Sequence, residues 1–148
     1  MTNRIEKTID IKAPVERVWR ALTDPVEFGE WFRVRLDGGF APGESTTGHI
    51  TYPGYEHLKW EVKVIEMTPP VLFYYEWHPF AVDPSVDYSK EPPTLVEFRL
   101  APTADGARLT ITETGFENVP AHRMPEALIR NGDGWAQQVL NVKAHVER

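Results

Sequence analysis

Apolar and polar positions alternate at the start of the chain: between positions 4 and 12, Ile5, Ile9 and Ile11 share one side with Lys7, the period-two pattern of a half-buried strand. The period then changes. Val15, Val18, Trp19 and Leu22 recur at helical spacing behind Pro14, which suits a first helical position because its missing N–H costs nothing there. A second short helix is expected in DPVEFGEWF, with Asp24 as its cap, Pro25 in its first position and Glu27 reaching back to complete a capping box.

From residue 33 to 116 the pattern is that of strands, expected at 33–36, 45–52, 58–66, 72–78, 94–101 and 107–116. Gly38-Gly39, Pro53-Gly54, Pro69-Pro70 and Asp105-Gly106 supply turns. A last helix should begin near Met124 to Glu126 and run close to the C-terminus, with Leu128, Trp135, Val139, Val142 and Val146 in one apolar stripe. The order strand, two helices, six strands, helix predicts an α+β fold in which one long helix faces a sheet. The connection 79–93 is out of proportion for a link between neighbouring strands, and its four prolines stiffen it; it reads either as a solvated insertion or as a lid.

Composition narrows the picture. A chain of 148 residues with 41% hydrophobic residues matches one core, so residues 1–148 are expected to form a single domain. No apolar run approaches a membrane span, and the N-terminus lacks the apolar stretch of a secretory signal, so a soluble, cytoplasmic protein is expected. The absence of cysteine excludes disulfides and thiolate chemistry, and a net charge of −6 without a basic patch argues against nucleic acid as a partner. His49, His57, His78, His122 and His145 show no metal-ligand spacing, the three serines lie outside any nucleophile elbow, and the glycines spell no phosphate loop. No cofactor and no catalytic constellation are implied.

Five segments, in order, carry a resemblance over nearly the whole chain: KAPVERVWRALTDPVEFGEWF, PPVLFYYEW, LVEFRL, LTITETGF and GW ahead of the final helical stripe. Together they resemble the activator of heat-shock protein 90 ATPase homologue family, within the START-related, birch-pollen-allergen-like superfamily. The resemblance implies a helix-grip fold: a curved antiparallel sheet of seven strands wrapped around the long C-terminal helix, with two short helices after the first strand. It leaves activity open, because the superfamily includes ligand carriers, cyclases and dehydratases, and chaperone activators.

Strand alternation assigns the inner face. Phe73, Tyr75 and Trp77 point inward from one strand, Val96, Phe98 and Leu100 from another, and Trp60, Val62 and Val64 from a third. With Trp135 and Val139 opposite, and Trp31 and Phe32 at the end of the second short helix, these aromatics either fill the space between sheet and helix or wall a pocket in it. Gly132 and Gly134, just before Trp135, either allow close approach of a ligand or ring, permit tight helix packing, or mark a break in the helix.

Glu113 is the unexpected inward residue, sharing parity with Leu109 and Ile111. A carboxylate there is costly unless paired or protonated. The sheet order implied by the resemblance sets the first strand beside the last, which makes Lys7 a candidate partner. Three roles are open to Glu113: a structural ion pair, a polar anchor for a ligand, or a general acid or base. The leading expectation is a domain that binds a small hydrophobic molecule, with Trp31, Phe32, Trp60, Phe73, Tyr75, Trp77, Phe98, Glu113, Trp135 and Val139 as the candidate lining. The alternatives are an interaction protein whose partner is a heat-shock chaperone, and an enzyme of cyclase or dehydratase type in which Glu113 or Tyr75 moves protons.

Overall fold

Alternation in the first segment is realised as β1 (Ile5–Ile11), which buries Ile5 and Ile11. The computed structural model describes residues 3–148; Met1 and Thr2, at the start of the expected domain, lie outside the described residues. Two helices follow, α1 (Val15–Thr23) and α2 (Pro25–Phe32), then six strands: β2 (Val34–Leu36), β3 (Ser45–Ile50), β4 (Lys59–Thr68), β5 (Leu72–Trp77), β6 (Thr94–Pro102) and β7 (Ala107–Thr114). The chain ends in α3 (Met124–Glu147).

All seven strands form one antiparallel sheet in the order β1-β7-β6-β5-β4-β3-β2. Its inner face carries the rows expected from alternation, with Trp60, Val62, Val64, Phe73, Tyr75, Val96, Phe98, Leu109 and Ile111 all buried. A bulge in β4 between Val64 and Glu66 interrupts the register with β5. One extra residue there bends the strand and increases its twist, which helps a sheet curve around a helix. The apolar stripe of α3 closes the concave side, burying Trp135, Val139, Val142 and Val146.

Local chemistry sets the ends of these elements. Asp24 caps α2 as expected, its carboxylate accepting from the N–H groups of Val26 and Glu27 at 2.9 and 3.0 Å. Pro14 stands one position earlier than expected, as the N-cap of α1, with ψ at 153°. Strand β7 stops before residue 116 because Gly115, at φ +100°, turns the chain into a short 3-10 turn over Phe116–Asn118. The expected capping box does not form, because the Glu27 side chain is taken by other partners. Arg17 and Arg20 donate to it at 2.7 and 2.8 Å, and the His145 ring of α3 lies at 2.9 Å.

The long connection is fastened rather than free. The Arg123 guanidinium, just before α3, donates to Glu91 at 2.7 Å and to the carbonyls of Pro79 and Phe80 at 2.9 and 3.0 Å, and lies 4.7 Å from the centre of the Tyr88 ring. Both members of the Arg123–Glu91 pair are 13% exposed, so the pair is little screened by solvent. The stem of the loop is thereby fixed beside the start of α3, while Val82 and Val86 at its tip are exposed.

The cluster joining α2 to α3 has a pH signature. Partial burial acts to raise the pKa of Glu27, but hydrogen bonds from His145 and Arg17, the charge of Arg17 and a hydrogen bond from Arg20 outweigh it and hold the carboxyl below the ordinary glutamate range. A depressed folded pKa contributes stability that is present above the unfolded value and lost as pH falls through the folded one. Glu27→Gln is therefore expected to lower the melting temperature at neutral pH, and the gap to the wild type should close as pH falls below the ordinary glutamate range. Thermal unfolding followed by circular dichroism across that pH range checks it.

Candidate functional site

Residues from four elements converge at one end of the sheet–helix junction. Glu113 of β7 is fully buried, as its parity requires, and its carboxylate is the meeting point. One oxygen accepts from the indole N–H of Trp135 at 2.9 Å; the other accepts from the indole of Trp77 at 2.9 Å and the hydroxyl of Thr94 at 2.6 Å. The Asn131 amide lies 3.0 and 3.1 Å from the two oxygens. These partners can all donate, which suits an ionised carboxylate, since that group only accepts.

The ion pair with Lys7, one of the three roles left open for Glu113, does not form among the described residues. Strand β1 does lie beside β7, but the register sets Ile5 opposite Glu113 and Lys7 opposite Ile111. Lys7 is half-exposed in a surface groove it shares with Glu6 and Asp133, while neutral donors fill the acceptor sites of the carboxylate. Thr94 and Asn131 were not singled out in the sequence. Their signal is faint: Thr94 opens an inward row continued by Val96 and Phe98, and Asn131 stands one helical turn before Trp135, but polar side chains at such places are ordinary.

Most of the candidate lining is packed ring against ring. Tyr75 lies 5.5 Å from Trp77 and 5.7 Å from Phe98, and Trp135 lies 5.7 Å from Trp77 and 5.8 Å from Phe98, centre to centre. Phe73 stacks on Phe98 at 5.6 Å, and Trp31 donates its indole N–H to the carbonyl of Ala21 at 2.7 Å. Val139 is buried. The space expected between sheet and helix is thus largely occupied by these side chains. What remains is a pocket of about 170 Å³ at the mouth, lined by Phe32, Trp77, Arg130, Asn131, Gly134, Trp135 and Gln138.

Phe32 is the half-buried stopper of this mouth. Its ring lies 6.3 Å from Trp77, 6.1 Å from Trp135 and 5.5 Å from Trp60, and its carbonyl accepts from Gln138 at 3.1 Å. The glycines of α3 do not break the helix. A methyl group at Gly134 would meet open space and one at Gly132 would only touch Ile5 at 4.0 Å, so tight packing requires neither. Gly134 instead keeps the pocket wall low.

Two polar atoms in the aromatic layer have no hydrogen-bond partner, the indole nitrogen of Trp60 and the hydroxyl of Tyr75. Each such group costs about 1–3 kcal/mol. Burial, followed by the nearby charge of Glu113, pushes the pKa of the Tyr75 phenol well above 10.0. That disfavours the phenolate and any role for Tyr75 as a base. Among the described residues no three His, Asp or Glu side chains converge as a metal ion would require, and no helix is long and apolar enough to cross a membrane.

Removing the carboxylate should be costly, because it strands donors on β5, β6 and α3 together. Glu113→Ala is expected to destabilise the fold by about 3 kcal/mol or more, and Glu113→Gln, which keeps one acceptor oxygen, by less. Urea unfolding of the variants measures both, and a loss for Glu113→Ala no larger than that of an ordinary surface substitution would contradict the account.

Comparison with known proteins agrees with this architecture. The family model for "Activator of Hsp90 ATPase homolog 1-like protein" matches residues 12–147. No curated protein matches the chain. Among solved structures, protein MLL2253 from Mesorhizobium loti is 26% identical with a TM-score of 0.77, covering 98% of this chain and 97% of that one. Protein CV1439 from Chromobacterium violaceum is 25% identical with a TM-score of 0.74, covering 100% and 99%. The Aha1 dimer from Colwellia psychrerythraea shares the fold at 19% identity and a TM-score of 0.72, covering 99% and 97%. The helix-grip fold is of a ligand-binding type, and the chain belongs to the Activator of Hsp90 ATPase homolog 1-like family.

Proposed function

We propose that this protein binds a small hydrophobic molecule at the mouth between sheet and helix, against Phe32, Trp77 and Trp135. The observation that carries the reading is the pocket itself: aromatic walls, an adjoining amide and a glycine at whose Cβ position nothing lies within 4 Å. Its volume of about 170 Å³ is below the usual range for a whole ligand, so the pocket holds one end of a molecule or widens when Phe32 turns aside. Phe32 packs on Trp60 at 5.5 Å, and Trp31, Phe73, Tyr75, Phe98 and Val139 are buried in the core outside the lining of this pocket. Glu113 acts here by holding Trp77 and Trp135 in place, since its own oxygens are already occupied.

A second reading is favoured by the family match: an interaction protein that engages a heat-shock chaperone. Pull-down with the chaperone, together with its ATPase rate, tests this separately. No complex and no change in rate would remove it.

The helix glycine links stability to binding. Gly134→Ala is expected to stabilise the chain by up to about 1 kcal/mol, because alanine is the better helix former and meets no neighbour. Gly134→Phe should fill the pocket. Native mass spectrometry of protein purified from its own cells is expected to show a co-purifying small molecule on the wild type and none on Gly134→Phe. A wild-type spectrum containing only the bare chain counts against the binding reading.

A further inference from the structure

The mouth pocket combines three aromatic walls with a buried anion behind two of them. Trp77 and Trp135 line the pocket and at the same time donate their indole N–H groups to Glu113. The two rings lie 5.7 Å apart at 30°, and Phe32 stands at 68° to each of them, so the third ring closes a corner rather than extending the stack. Aromatic faces carry the negative side of a quadrupole, and an indole that donates its N–H to a carboxylate is made richer in electrons.

The charge behind these rings has no ionic partner. None of the ion pairs among the described residues includes Glu113. Its neighbours are neutral donors, and full burial keeps solvent ions from screening it. Arg130 is the cationic side chain that lines the pocket, but it is exposed, and its guanidinium sits over the Phe80 ring at 5.7 Å. Solvent screens that charge, whereas the carboxylate acts on the pocket through side chains alone. The net charge of −6 further favours the approach of a cation over that of an anion.

We propose that this pocket takes the methylated ammonium group of a small organic cation, seated against Phe32, Trp77 and Trp135 with Glu113 as its buried counter-charge. The inference rests on the reading of this pocket as the ligand site and names the chemistry it selects. The fully methylated, quaternary form of that group, as in choline, has no N–H to donate, so it does not compete for the occupied oxygens of Glu113; it gains from the rings and from the field behind them. The volume of about 170 Å³ suits a compact head group.

Titration calorimetry on the full chain tests the proposal with choline and with the neutral alcohol in which a quaternary carbon replaces the nitrogen. Shape and apolar area are the same, so only the charge differs. Choline is expected to bind about tenfold more tightly. Phe32→Leu keeps apolar bulk, removes one ring and touches no hydrogen bond of Glu113; it should weaken choline severalfold and leave the alcohol nearly unchanged. Glu113→Gln, if it folds, should abolish most of the preference. Equal or tighter binding of the alcohol overturns the cation assignment while leaving the hydrophobic pocket in place. Binding of neither probe at millimolar concentration overturns both. Choline binding indifferent to Phe32→Leu would put the ligand elsewhere and also overturn the assignment.

Discussion

One buried carboxylate organises this end of the molecule. Glu113 receives donors from β5, β6 and α3 while itself standing on β7, so four elements that are distant in sequence are fixed by one group. A carboxylate can be kept this deep only when its acceptor capacity is met, and here neutral groups meet it. The arrangement is demanding in both directions: the anion needs the donors, and the indoles need an acceptor once buried. It fixes ring orientation as well as position, which apolar packing alone does less sharply, because polar contacts have preferred directions.

Much of the architecture was legible in the pattern of residues. Parity in β5 and β6 placed Phe73, Tyr75, Val96 and Phe98 inward, and the helical stripe around Trp135 identified the face that α3 buries. Strand and helix periods report burial directly, so they survive without knowledge of the partners. The inward direction of Glu113 followed from the same rule. What satisfies it did not, because parity says which side a residue faces but not which residue stands across the gap. Lys7 was a reasonable partner on charge, yet the register sets it two positions from the residue opposite Glu113. Asn131 and Thr94, being neutral, carried no comparable signal.

The extent of the site was harder still to read. Inward aromatics are compatible with a wall or a plug, and the difference depends on ring torsions and the bend of the sheet. The bulge at Ile65 is one such determinant, and nothing in KVIEM announces it. Gly134 gave the better hint, since a glycine that no neighbour requires leaves space on the helix face. The 79–93 segment is another such case: its length and prolines were compatible with a solvated insertion or a lid, and neither announced that one arginine outside the segment binds its two ends.

The sheet is open, not closed into a barrel, so β1 and β2 each leave a row of backbone groups without a neighbouring strand. Such rows invite other chains to add on. The two are guarded differently: β2 spans only three residues, too short a template to hold a foreign strand, while β1 presents Glu6 and Asp10 outward and Lys7 at its flank. A protein with so many aromatic residues in its central strands is thereby protected against polymerising through its margins, and that protection costs its interior nothing.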